Sequence, residues 1–167
     1  MTLPNLYLYS APVHSGKTTA LMAWAKGRTD LGGFLAPDLD DGLRYLLTLR
    51  DRQWHPFQVK ESADEAVVTI CRYQFKASAF ALAHQTLLSD ARLPTPWLVV
   101  DEVGKLELQG LGHEPALSQV VHMWKSGEYP GRLLLVVRSE LLFDVVEKYG
   151  LHGARVLSSL EELAAIA

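Results

Sequence analysis

Apolar runs alternate with amphipathic stretches along the whole chain. Leu6-Tyr-Leu-Tyr9 is an apolar strand pattern that feeds Ser10-Ala-Pro-Val-His-Ser-Gly-Lys-Thr-Thr19. Beyond it, Thr18 to Lys26 sets Leu21, Met22 and Trp24 among alanines, which predicts a helix packed on a sheet, and Gly27 suits its end. Gly33-Phe-Leu-Ala36 and Leu43 to Arg50 read as extended. Asp40-Asp41-Gly42 between them is a turn signal, so this stretch predicts a hairpin or β-meander. Gln53 to Val59 reads as a third short strand, and Glu65 to Tyr73, rich in Val, Thr and Ile, as another. From Ala77 to Arg92 the residues Phe80, Ala83, Leu87 and Leu88 share one helical face. Pro94-Thr-Pro96 then breaks the chain before Trp97-Leu-Val-Val100, an all-apolar run of the kind found in strands covered on both faces, which ends in Asp101-Glu102. A helix over Pro115 to Lys125, a second buried strand at Leu133 to Val137, a helix at Glu140 to Tyr149, a short strand at Ala154 to Leu157 and a helix from Ser159 complete the pattern. Buried strands alternating with helices predict a mostly parallel sheet in a three-layer α/β fold. No repeat, low-complexity tract or linker interrupts it, so residues 1–167 read as a single domain.

Composition narrows the function classes. The chain has 167 residues, 49% hydrophobic and 21% charged, with a formal net charge of −3. Duplex-binding surfaces are strongly basic, so no nucleic-acid partner is expected. Cys71 stands alone, which rules out an intrachain disulfide or a cysteine zinc cage and fits a reducing compartment; it reads as a small buried hydrophobe. No basic stretch precedes a long apolar one and no apolar run approaches a membrane span, so the expectation is a cytoplasmic protein without a membrane partner. The six histidines lack H-x-H or H-E-x-x-H spacing, which argues against a histidine metal site.

The chemistry concentrates between Ala11 and Thr19. In the pattern G-x-x-x-x-G-K-[ST], backbone N–H groups cradle phosphates, the lysine neutralises them and the final hydroxyl binds magnesium. Here Gly16, Lys17 and Thr18 fill the second half, Pro12, Val13, His14 and Ser15 form the bend, and Thr19 follows. Ala11 stands at the first glycine position. An alanine forced into a left-handed conformation costs roughly 1 to 2 kcal/mol, against about 8 kcal/mol for micromolar binding, so such a site is weakened rather than abolished. The competing reading, a Ser/Thr-capped helix start, does not explain the strand directly upstream.

Asp101 and Glu102 follow a buried strand, at the edge where open α/β sheets bind ligands. Asp101 in that place suits a magnesium ligand, and Glu102, pointing the other way, suits a base that activates water. The competing reading is a solvated acidic loop. Arg138 follows Leu133-Leu-Leu-Val-Val137, so it reads equally as a cation for a γ-phosphate or as a surface arginine. Arg44, Arg50, Arg52 and Arg72 are further basic candidates, although strand arginines commonly lie on a solvated face. His14 is compatible with a phosphate contact or with pointing to water.

Asp101-Glu-Val-Gly-Lys-Leu-Glu-Leu108 resembles the run D-E-I-G-K-M-E-L of a family of small phosphate-loop nucleoside triphosphatases that includes the human cancer-related nucleoside-triphosphatase. The resemblance covers most of the chain: the loop with its doubled threonine, the Gly33-Phe34 strand with Gly42-Leu-Arg44 beyond it, an aromatic strand near Tyr73, and the apolar strand ending at Arg138. It implies a RecA-like P-loop NTPase fold with a β-insertion, and magnesium-dependent hydrolysis of nucleoside triphosphates, ATP or GTP, with loose base specificity. It also implies magnesium binding and water activation by the matching acids, and adds Arg44 to the nucleotide-binding set. The departures lie in the loop, where the family reads G-x-P-G-x-G-K-T-T and this chain has Ala11, Val13 and His14 at the first glycine, the proline and the middle glycine. Two other readings stay open: a nucleotide-binding partner protein that does not hydrolyse, and a small-molecule kinase, although kinases need a water-excluding lid and no arginine-rich lid stands out.

Overall fold

The structure is a computed structural model that describes residues 2–60 and 66–166. β1 (Leu6–Ala11) leads through a loop into α1 (Lys17–Ala25), then β2 (Leu31–Leu35), β3 (Tyr45–Thr48), β4 (Gln53–Pro56) and β5 (Gln58–Val59). β6 (Val67–Ile70), β7 (Tyr73–Lys76) and α2 (Ala77–Ala91) precede β8 (Trp97–Val103), α3 (Lys105–Leu108) and α4 (Ala116–Ser126). The chain closes with β9 (Arg132–Arg138), a 3-10 turn at Ser139–Leu141, α5 (Leu142–Tyr149), β10 (Arg155–Leu157) and α6 (Leu160–Ala164).

The main sheet has the order β10-β1-β9-β8-β2-β3-β4. The strands from β10 to β2 pair in parallel, and β3 and β4 extend the sheet antiparallel. Strand alternation divides the core into two layers. Leu6, Leu8, Leu98, Val100, Leu133 and Leu135 face one side with Phe80, Leu87, Leu117, Val120 and Val145. Tyr7, Tyr9, Trp97, Val99, Leu134 and Val136 face the other with Leu21, Trp24 and Leu163. Both faces of β1, β8 and β9 are therefore dry, which explains their near-continuous apolar sequences. Gly33 allows β2 to lie against β8: its φ is 81° and a Cβ there would run into the Val99 carbonyl oxygen.

Three sequence expectations need correction. The segment from Gln53 to Val59 is two strands, β4 in the main sheet and β5 in a separate sheet of order β5-β7-β6, because Phe57 buries its ring against Phe75 and Phe80 and turns the chain away. The segment read as one strand to Tyr73 is a hairpin of β6 and β7; Glu65 lies outside the described residues. Cys71 is exposed at the turn of that hairpin with φ 55°, not a buried hydrophobe. No helix among the described residues is long and apolar enough to cross a membrane.

Candidate functional site

The loop between β1 and α1 sits at the carboxyl edge of the parallel strands, where such sheets leave a crevice. Ala11 is still part of β1 and pairs with Arg138. The left-handed strain anticipated at Ala11 is absent; the backbone turns left-handed at His14, φ 58°, and at Gly16, φ 85°. The physical reason is that β1 keeps its register with β9 through Ala11, so the bend starts later. Pro12, Val13, His14, Ser15 and Gly16 are exposed, as is Thr19, while Lys17 and Thr18 are half-buried. The Lys17 ammonium donates to the carbonyls of Ala11 (3.2 Å) and Pro12 (3.1 Å).

β8 carries the acids, and it does not stop before them. Val100 pairs with Leu135 and Val103 with Val137, so β8 advances by three residues where β9 advances by two. The extra residue makes a bulge, and Glu102 within it has φ 65°. Strand alternation directs Asp101 to the α1 layer, where it is fully buried. Its Oδ2 accepts from the Thr18 hydroxyl at 3.1 Å and from the Ala36 N–H at 2.9 Å, and its Oδ1 accepts from the Glu102 N–H at 2.9 Å. Burial, and then the neighbouring Glu102, push its pKa up to about 6. Glu102 is half-buried at the rim, with Oε2 at 3.5 Å from Nη1 of Arg44.

Lys17, Asp101, Glu102, Val103, Val136 and Arg138 line one cleft. Arg138 is the last residue of β9 rather than the first beyond it. Of the four further arginines, only Arg44 reaches this edge. Arg50 binds Asp90 at 3.0 Å, Arg52 donates to the carbonyls of Ala25 (2.9 Å) and Arg28 at the end of α1, and Arg72 lies exposed on Tyr73. The hard oxygens of Thr18 and Asp101 are the donors a cation would meet. Among the described residues no group of three or more His, Cys, Asp or Glu is arranged around a metal, so an ion here would share its shell with water and ligand oxygens, as magnesium does.

Two residues escape sequence reasoning. Glu107, inside the eight-residue acidic run, is buried and accepts from the N–H groups of Gly104 (2.8 Å) and His113 (3.2 Å), tying down the chain that leaves the bulge. Burial lifts its pKa to about 7, and burial lowers that of His113 to about 3. Asp38, which holds Arg44, lies in no recognisable pattern.

No family model and no curated protein matches the chain by sequence. Among solved structures it is similar to THEP1 from the hyperthermophile Aquifex aeolicus, with a TM-score of 0.68 over 95% of this chain and 96% of that one, at 16% identity. The fold is a P-loop NTPase fold. The likeness to THEP1 covers both the mostly parallel main sheet and the flanking helices.

Proposed function

We propose that the chain binds a nucleoside triphosphate with magnesium in the cleft between the β1–α1 loop and the β8 bulge, and hydrolyses it to the diphosphate and phosphate with loose base specificity. The observation that carries this reading is the Thr18–Asp101 hydrogen bond of 3.1 Å, which joins the start of α1 to the bulge across the intervening strand β9. A hydroxyl and a buried carboxylate converging on one point, with Lys17 and Arg138 lining the same cleft, is a donor set that fits magnesium. Thr18 and Asp101 would hold the ion, which would supply positive charge to the phosphates. The loop from Val13 to Thr18 offers N–H groups to the phosphates, and Lys17 exchanges two carbonyl acceptors for them. Glu102 takes the proton of the water that attacks the γ-phosphorus, while the bond from that phosphorus to the bridging oxygen breaks and the diphosphate leaves. Arg138 meets the negative charge on the transferring group. The left-handed backbone of Glu102 is the kind of local strain found at working sites.

Phosphate release from ATP, GTP, CTP and UTP with magnesium, beside binding of a non-hydrolysable triphosphate analogue, tests the reading. Glu102→Gln should cut hydrolysis by about 10² or more, as loss of a positioned base does, and should leave analogue binding in place. A parent that binds the analogue but releases no phosphate overturns hydrolysis. It would favour the second reading, a nucleotide-binding protein that does not consume its ligand. That reading draws on His14 in a left-handed bend and on Lys17 turned onto its own loop. Transfer of the phosphoryl group to an added small molecule instead of water would indicate a kinase.

A further inference from the structure

Arg44 stands between two carboxylates. Its Nε donates to Asp38 Oδ1 at 2.9 Å and its Nη2 to Asp38 Oδ2 at 3.4 Å, a side-on fork, while Nη1 faces Glu102 Oε2 at 3.5 Å. A guanidinium is planar, so a carboxylate that grips its Nε edge also sets the direction of the opposite nitrogen. The main chain of Arg44 is equally constrained. Its carbonyl accepts from the N–H groups of Phe57 (3.2 Å) and Gln58 (2.9 Å), and its N–H donates to Gln58 Oε1 at 3.2 Å. The turn that brings Asp38 opposite Arg44 is closed by Leu39 N–H to Leu43 O at 3.0 Å and Gly42 N–H to Leu39 O at 2.9 Å. Asp41 cannot replace Asp38, because its carboxylate already accepts from Tyr45 Oη at 2.6 Å and Leu43 N–H at 2.9 Å. The Asp38 side chain is 55% exposed. A pair so open to water contributes little to stability, so what it offers is geometry.

We propose that Asp38 is a positioning residue: it orients Arg44 so that the guanidinium holds the Glu102 carboxylate in place beside the attacking water. This rests on the hydrolysis reading above. Glu102 lies on a strained bulge and accepts no hydrogen bond among the described residues. Without the Asp38–Arg44 brace its side chain is free to leave the attack line, and misplacement of a reacting group by about an ångström costs up to 10² in rate.

The test is steady-state hydrolysis by the full chain, with analogue binding and circular dichroism as controls on the nucleotide site and the fold. Asp38→Asn keeps the shape and removes the charge that grips the guanidinium. It should lower kcat about tenfold, with KM and analogue affinity within about twofold of the parent. Asp38→Glu, which keeps the charge, should recover part of the loss. In an Arg44→Ala background Asp38→Asn should change nothing further, since the two act as one unit. A contribution to turn folding alone would persist in that background. Hydrolysis by Asp38→Asn as fast as the parent's overturns the proposal while leaving the hydrolysis reading intact, and so does an equal loss with and without Arg44. A parent that releases no phosphate overturns the hydrolysis reading and this role with it.

Discussion

β2 rests on one buried aspartate at its middle and on another just past its carboxyl end, and the two are satisfied in opposite ways. At the middle of the strand Asp90 accepts the Gly33 N–H at 2.8 Å, and one residue past its carboxyl end Asp101 accepts the Ala36 N–H at 2.9 Å. Asp90 also takes Arg50 Nε at 3.0 Å, and Arg50 reaches on to the Thr95 hydroxyl, itself bonded to the Asp90 carbonyl at 2.7 Å. Asp101 has only neutral donors, Thr18 and two N–H groups, with the Glu102 carboxylate beside it, and its pKa rises to about 6. A buried charge is costly unless a cation accompanies it. Asp90 carries its cation within the fold and is a fastening. Asp101 lacks one within ion-pair distance among the described residues, and in the proposed function magnesium fills that need.

Replacing the two acids separately tests the contrast most strongly. Asp90→Ala strips a buried N–H and a guanidinium of their acceptor and should destabilise the protein by about 3 to 4 kcal/mol in denaturant unfolding. Asp101→Asn removes a buried charge that no internal cation accompanies but leaves one of the Ala36 and Glu102 N–H groups without its acceptor, so it should cost less, about 1 to 2 kcal/mol. In the same variant magnesium-dependent nucleotide affinity should drop about tenfold or more. Equal stability losses at the two aspartates would break the comparison.

Glu107 extends it to a third buried acid, held by N–H groups without a cation. Its folded pKa of about 7 lies above the ordinary 4.5, so the folded state holds a proton that the unfolded chain has released. The stabilisation is fully present below about pH 4.5 and is lost as pH rises through about 7, an upper bound of about 3 kcal/mol. Glu107→Gln should therefore cost most stability near pH 4.5 and progressively less towards pH 8. Taking the difference between variant and parent unfolding at each pH removes the opposite slope of His113, whose lowered pKa makes stability fall as pH drops below 6.5. A pH-independent cost would show that folding leaves the Glu107 pKa unshifted.

The smallest effect concerns the loop. His14→Gly relieves a left-handed side chain and should stabilise by up to about 1 kcal/mol. If the loop's departures limit hydrolysis, the glycine variant should also turn over faster. A slower variant would mean that the imidazole itself contributes.

Much of the candidate site was legible because its pattern is local. Lys17 and Thr18 follow a strand and open a helix, and Asp101 and Glu102 close an apolar run; each is a short-range pattern with a physical purpose. Only the resemblance singled out Arg44 among the four candidate arginines; Arg50 and Arg52 proved to be fastenings elsewhere and Arg72 lies exposed, since an arginine's role depends on which partner the fold brings to it. Asp38 and Glu107 had no local signature, because hydrogen bonds from distant N–H groups leave no periodicity in a sequence. Cys71 misled because burial was inferred from residue type, whereas a hairpin turn decided its exposure.

Periodicity and punctuation by themselves determined the parallel, helix-covered sheet of this chain. Strands that are dry on both faces must be written almost entirely in apolar residues, and the loops at their carboxyl ends are the places left for polar ones. Only the tertiary structure decided that β9 separates the loop strand from the acid strand, that an extra residue in β8 swings Glu102 to the rim, and that the β2–β3 turn brings Asp38 and Arg44 to meet it. Those features are pairings between residues far apart in the chain. Their energies arise from hydrogen bonds and charges that exist only once the sheet has chosen its order.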